Sequence, residues 1–179
     1  VIEDCAHAIE TEYRGRKAGT IGDLGVLSFY STKNIVTGEG GMVLANEGHL
    51  ARRTRTLGLH GMTHDAWKRF SDDGYKTYDI EEIDRENNMM DLQAAIGLHQ
   101  IERVETYWQR GLAVWQRSLA ELADLPLTLP APWPADERHG LHLFTIRIDP
   151  RRCGKTRDEV LMELHRLRIG TGVHYRSIP

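Results

Sequence analysis

The sequence predicts an α/β fold, a mostly parallel sheet with flanking helices, joined to part of a small α+β unit. Three observations predict it. Val1-Ile2-Glu3-Asp4 is a continuous apolar run with a polar exit, as expected for a strand covered on both faces of a parallel sheet. Short apolar strands then alternate with helical patterns over the first hundred residues. Finally, a long helical stripe running to Leu122 is stopped by Pro126, Pro130, Pro132 and Pro134, beyond which a new strand, helix and strand follow. These features place a large-domain portion at 1–104 and an incomplete small domain at 105–179, entered by a long bridging helix.

Taken in order, Val1 to Asp4 is the first strand, and Ala6 to Thr11 is expected as a short helix. Glu12 to Gly25, with Gly15, Gly19 and Gly22, reads as a hairpin or loop excursion. Val26 to Tyr30 and Gly41 to Ala45 are strands, and Asn46 is expected to cap a helix over Glu47 to Leu57 whose Arg52, Arg53 and Arg55 face solvent. His60 to Glu86 has little periodicity and reads as one long irregular excursion. One continuous helix is expected from Asp91, its stripe made by Leu92, Ile96, Ile101, Val104, Trp108, Leu112, Trp115, Leu119 and Leu122. Leu141 to Ile148 alternates as a half-exposed strand. Thr156 to Arg168 is an amphipathic helix opened by a Thr156/Glu159 capping box, and Ile169 to Tyr175 returns as a strand.

With 179 residues, 40% of them hydrophobic, the chain can bury a sizeable core. A net charge of −3 with interspersed signs gives no basis for binding nucleic acid or an acidic membrane surface. Cys5 and Cys153 lie in unlike settings, so a disulfide is not expected and a reducing cytoplasm is the default location. No run has the apolar length of a transmembrane helix, and no signal peptide is visible. The chain opens without Met on a core strand and closes at Ser177-Ile178-Pro179 beside another, which reads as the central part of a longer polypeptide.

The chemistry centres on two residues. Asp4 ends an apolar strand, and Lys33 follows the strand Ser28-Phe29-Tyr30 and precedes the turn Gly38-Glu39-Gly40-Gly41. An amine and a carboxylate on neighbouring strand ends suit pyridoxal 5′-phosphate (PLP): the amine bonds the cofactor aldehyde and the carboxylate keeps the pyridine nitrogen protonated. The glycine turn reads as a tight reversal rather than a phosphate cradle, because no helix N-terminus follows it. His60 and His64 have the i, i+4 spacing of metal ligands, but no third ligand accompanies them and no metal is expected.

Taken together, Glu3-Asp4-Cys5-Ala6-His7-Ala8, Gly15-Arg16-Lys17-Ala18-Gly19-Thr20-Ile21-Gly22-Asp23, Ser28-Phe29, Lys33-Asn34 and Gly38-Glu39-Gly40-Gly41 resemble one family. It is the DegT/DnrJ/EryC1/StrS family of PLP-dependent sugar aminotransferases, which have the type I aspartate aminotransferase fold. The resemblance continues through His60-Gly61-Met62, Asp65-Ala66-Trp67-Lys68-Arg69, Asp91-Leu92-Gln93-Ala94-Ala95-Ile96-Gly97 and Gly172-Val173-His174-Tyr175, and so covers essentially the whole chain.

The resemblance implies a set of roles. Lys33 becomes the Schiff-base lysine and proton shuttle, and Asp4 the partner of the pyridinium nitrogen. His7 contacts the cofactor ring or its phenolic oxygen, Ser28 binds the phosphate, and His174 and Tyr175 border the substrate site. Asn88 matches a residue that reaches the neighbouring subunit's cofactor phosphate, implying a homodimer with shared active sites. Its surroundings depart from the family pattern: Asp84-Arg85-Glu86-Asn87-Asn88-Met89-Met90-Asp91 lacks the glycine, both aromatics and the small hydroxyl residue common there. The implied reaction moves an amino group from L-glutamate to a nucleotide-linked keto-sugar for lipopolysaccharide, surface-glycan or antibiotic sugars. The 60–67 stretch is more similar to members acting at the sugar C4 than at C3. Related dehydratases carry His where this chain has Lys33, and a non-catalytic protein of the same fold is the alternative from another class. The 179 residues by themselves are expected to bind PLP poorly and not to turn over.

Overall fold

The computed structural model describes residues 1–62, 77–84 and 86–175. His64, the Asp65–Arg69 motif, Gly74, Arg85 and the Ser177–Pro179 end lie outside these residues. The chain divides into two compact units, one of residues 1–110 with 133–142, the other of 111–132 with 143–179.

The first unit is built on a three-stranded sheet in the order β1 (Ile2–Asp4), β4 (Leu24–Ser28), β5 (Gly41–Ala45). β1 and β4 are parallel, with Asp4 opposite Val26, whereas β4 and β5 are antiparallel, with Val26 opposite Val43. Among the described strands, the parallel character thus rests on the β1–β4 pair. Alternate β4 residues Gly25 and Leu27 point inward, and Leu27 joins Cys5, Phe29 and Ile35 in a core flanked by Ile9, Leu44 and Met89. Gly25 has no room for a side chain: a Cβ there would lie 2.3 Å from the Gly19 backbone.

The expected excursion after Thr11 is a small hairpin, β2 (Glu12–Tyr13) with β3 (Arg16–Lys17), and β2 also pairs with β7 (Glu137–Arg138). The loop that leaves it is pinned by Glu3, whose carboxylate accepts from the backbone N–H groups of Gly19, Ile21 and Gly22 at 2.6–2.8 Å. Those bonds, Gly22 foremost, hold the Glu3 carboxyl below its ordinary pKa.

Several sequence expectations are corrected. Residues 6–11 form no helix. They make two successive turns, Ala8 N–H to Cys5 O and Thr11 N–H to Ala8 O, and the first is started by Asp4 Oδ1 accepting from Ala6 N–H. Helix α1 (Gly48–Leu57) begins without a side-chain cap: the N-cap position is Glu47, one residue after Asn46, and the Asn46 amide nitrogen donates to Thr20 O and Gly22 O, tying β5 to the Glu3 loop. The single long helix is two, α2 (Asp91–Ile101) and α3 (Val104–Leu122), separated by a tight turn in which Arg103 N–H bonds Gln100 O. The stripe does not mark this break: Ile101 to Val104, which spans it, is an ordinary helical step of three.

In the second unit, Trp115 of α3 is buried and meets Phe144 edge to face, with centroids 4.8 Å apart. Of the strand expected over Leu141 to Ile148, only β8 (Arg147–Ile148) forms, antiparallel to β6 (Leu127–Thr128). Leu141 has φ of 51°, which cannot continue a strand. A short helix α4 (Pro150–Cys153) precedes α5 (Arg157–Arg166), where the Thr156/Glu159 capping box forms as expected. Residues 169–175 form no strand.

Candidate active site

The C-terminal edge of the β1–β4 pair is where most of the expected residues meet. β1 delivers Asp4, and the turn it starts carries His7 back over the edge. β4 ends at Ser28, two residues beyond Val26, the parallel partner of Asp4. Residues 30–40 then form a loop opened by Lys33 N–H to Tyr30 O and closed by Thr37 N–H to Phe29 O and Phe29 N–H to Gly40 O. Gly40 has φ of 144° and lies so close to Met89 and Thr37 that a Cβ would sit 2.6 Å from the Met89 sulfur. This loop projects Lys33, and its Nζ lies 2.5 Å from His7 Nε2. Gln100 of α2 holds the far side of the loop by bonding both the N–H and the C=O of Val36.

His7 is further organised by His142, whose ring stacks on it with centroids 3.7 Å apart and planes 12° from parallel. Desolvation and the positive charge of Lys33 push the His7 imidazole below its ordinary pKa, with Asp4 acting weakly the other way. A neutral His7 accepts at Nε2 from Lys33. Ser28 Oγ is half-buried and makes a long bond, 3.4 Å, from Tyr30 N–H, so its hydroxyl proton is available to a ligand. Cys5, immediately after Asp4, is buried, and burial raises its pKa, which suits a packing residue and not a nucleophile.

Asn88 is placed differently. It is exposed in the extended stretch before α2, between Asn87, whose N–H bonds Gly58 O, and Met89, which packs on the core. Among the described residues it makes no hydrogen bond. His174 and Tyr175 belong to the second unit, where both are exposed and meet edge to face at 4.8 Å. Arg52, Arg53 and Arg55 are exposed on α1, as expected, and Arg53 pairs with Glu82 at 2.5 Å. No group of three metal-ligating side chains occurs among the described residues, and no described helix is long and apolar enough to cross a membrane.

Sequence reasoning missed three residues here. His142 was hidden in a run that alternates like a strand. Asn34 adjoins Lys33 and donates to Glu10 Oε2 at 2.8 Å and to Gly140 O at 2.9 Å. Glu10 itself, only 3% exposed, lies in the segment expected as a helix.

An amine beside a neutral imidazole, with a carboxylate and a hydroxyl on the same strand edge, fits PLP by the chemistry of its donors. The amine matches the aldehyde, the carboxylate the ring nitrogen and the hydroxyl the phosphate.

Comparison with known proteins shows the family and the fold. The sequence profile described as the DegT/DnrJ/EryC1/StrS aminotransferase family matches residues 1–179. The chain is 40% identical over 176 residues to the spore coat polysaccharide biosynthesis protein SpsC of Bacillus subtilis, covering 98% of this chain and 45% of that protein. Among solved structures, it resembles the aminotransferase TlmJ of Streptoalloteichus hindustanus with a TM-score of 0.85 at 29% identity, over 97% of this chain and 44% of that one. It resembles the PLP form of the putative sugar aminotransferase Spr1654 of Streptococcus pneumoniae with a TM-score of 0.83 at 27% identity, over 98% of this chain and 43% of that one. The chain thus spans a little under half the length of the relatives it matches.

Proposed function

The chain belongs to the DegT/DnrJ/EryC1/StrS aminotransferase family, and from that premise we propose that the complete protein carrying it is a PLP-dependent sugar aminotransferase. It takes the amino group of L-glutamate and gives it to a nucleotide-linked keto-sugar, with the keto group at C4. The products serve lipopolysaccharide, surface-glycan or antibiotic sugar synthesis, in the cytoplasm. The relative in Bacillus subtilis, named for spore coat polysaccharide biosynthesis, supports the polysaccharide setting. The observation that carries the reading is the Lys33–His7 contact at the strand edge that also presents Asp4 and Ser28.

When bound, PLP supplies an electron sink that lets a proton leave and return at the carbon bearing the nitrogen. Asp4 would hold the ring nitrogen in its protonated form. The Ser28 hydroxyl would donate to the phosphate. His7, stacked on His142, offers a flat, neutral surface and keeps the Lys33 amine at a fixed point on the edge. Lys33 Nζ takes the proton from the donor's carbon and returns it on the other side of the reaction, a general acid–base role. His174 and Tyr175 are assigned to the sugar, and Asn88 to the phosphate in a partner subunit of a homodimer. The large-domain and small-domain portions follow the division at residue 104 in this reading.

The test uses the complete polypeptide, reconstituted with PLP and given L-glutamate. The visible absorbance of the lysine-bound cofactor is expected to shift to that of the amine form, with release of 2-oxoglutarate. Lys33→Ala is expected to lower turnover by at least about 10³-fold, given what acid–base and covalent roles together contribute. A Lys33→Ala protein that turns over at the wild-type rate would remove the proposal.

A further inference from the structure

Glu10 is the one buried carboxylate among the described residues that the proposed reaction does not use. Its surroundings are specific. Asn34 uses its amide nitrogen twice, toward Glu10 Oε2 at 2.8 Å and toward Gly140 O at 2.9 Å. The first bond fixes the residue immediately after Lys33. The second fixes the segment that ends at His142, the residue stacked on His7. The Gly140 backbone is pressed against the turn that bears His7, since a Cβ there would lie 2.7 Å from His7 O and 2.8 Å from Thr11 Oγ1. Three chain segments, 7–11, 33–35 and 140–142, therefore converge on one amide, and a buried acceptor decides where that amide points.

We propose that Glu10 is a positioning residue: by accepting from Asn34 it sets both the Lys33 turn and the Gly140–His142 segment, and so the Lys33–His7–His142 arrangement. The inference concerns this chain's own geometry, and its consequence for the cofactor rests on the PLP reading above. Burial raises the Glu10 pKa, opposed by the Asn34 bond and by the charges of Arg138 and Lys17. Burial disfavours the carboxylate, and the Asn34 bond offsets part of that cost, as expected of an acceptor held for its geometry. Because only an acceptor oxygen is required, glutamine at this position serves as well, whereas alanine leaves the Asn34 amide to reorient.

The test uses the complete polypeptide with ¹³C-labelled histidine, first without cofactor. His7 and His142 are assigned by His7→Gln and His142→Gln. In the wild type, the His7 Hε1 resonance is expected upfield from ring-current stacking, and its titration midpoint below 6.5. In Glu10→Ala and Asn34→Ala the resonance moves downfield and the midpoint rises toward 6.5, while Glu10→Gln keeps both at wild-type values. PLP affinity falls about 10- to 100-fold in the two alanine variants and is retained in Glu10→Gln, the order by which partners that orient the groups of a binding site act on affinity. A role confined to stability predicts otherwise: a lower melting temperature with an unmoved His7 resonance and unmoved PLP affinity, and that result overturns the proposal. Should Glu10→Ala fail to fold, Asn34→Ala, which removes only a half-buried amide, decides by the same two readouts. If the wild type shows no PLP binding at all, the aminotransferase reading fails, while the histidine resonances still decide the role of Glu10.

Discussion

His7 depends on its two neighbours for its protonation state. Desolvation and the Lys33 charge lower its pKa in the folded chain, so the unfolded chain takes up a proton more readily. Stability is therefore full above the unfolded value of 6.5 and falls as the pH drops from there through the lower folded value. Denaturant midpoints measured between pH 7.5 and 5 should decline more steeply in the wild type than in His7→Gln. Equal slopes would mean that His7 does not titrate as described. At this scale the sequence was partly legible. Asp4, His7, Ser28 and Lys33 can be picked out because strand ends and short motifs carry them, and the fold brings them to one edge. Glu10, Asn34 and His142 cannot, because their importance comes from contacts spanning 24 to 135 residues, which no local pattern encodes.

Among the elements, the Glu3 loop shows how one side chain organises several. Its carboxylate satisfies three backbone donors and keeps residues 19–22 over the sheet, where Gly19 and Gly25 touch. Hydrogen bonds to a charged group contribute roughly 1.5–3 kcal/mol each at most, and they are not additive. Glu3→Gln, which keeps the shape and loses the charge, should destabilise by about 1–3 kcal/mol at pH 7 in chemical denaturation. Because folding lowers the Glu3 pKa, that difference is fully present above the ordinary value of 4.5 and should shrink as the pH falls through the folded value. A difference that does not change down to pH 3 would contradict the charged-acceptor account. Elements with a local cause were legible: β4 and β5 from their apolar runs, the glycine hairpin from its turn residues, α5 from its capping box. Those decided by competing hydrogen bonds were not. Residues 6–11 follow the Asp4 turn instead of helical propensity, and the Asn46 amide bonds the Glu3 loop instead of capping α1. The α2–α3 break was not legible either, because the apolar spacing runs through it from Ile101 to Val104.

For the whole molecule, the relatives are more than twice as long as this chain, and the sheet of the first unit presents Ile2, Val26 and Val43 on one face with exposures of 69%, 40% and 42%. The proposed homodimer makes a distinct prediction through Asn88, since a shared site needs Lys33 from one subunit and Asn88 from the other. Lys33→Ala and Asn88→Ala proteins, each impaired by itself, should regain about a quarter of wild-type activity when their subunits are mixed at random, because half of the dimers are mixed and each holds one intact site. Recovery no greater than the sum of the two alone would place Asn88 outside the partner's site.

The most direct measurement is chemical mapping of the lysine. The complete polypeptide is incubated with PLP, reduced with borohydride, digested and analysed by peptide mass. The account predicts a pyridoxyl group on Lys33 and its loss in Lys33→Arg. A folded protein that carries no adduct with PLP in excess, or carries it on another lysine, would contradict the assignment of this strand edge as the cofactor site.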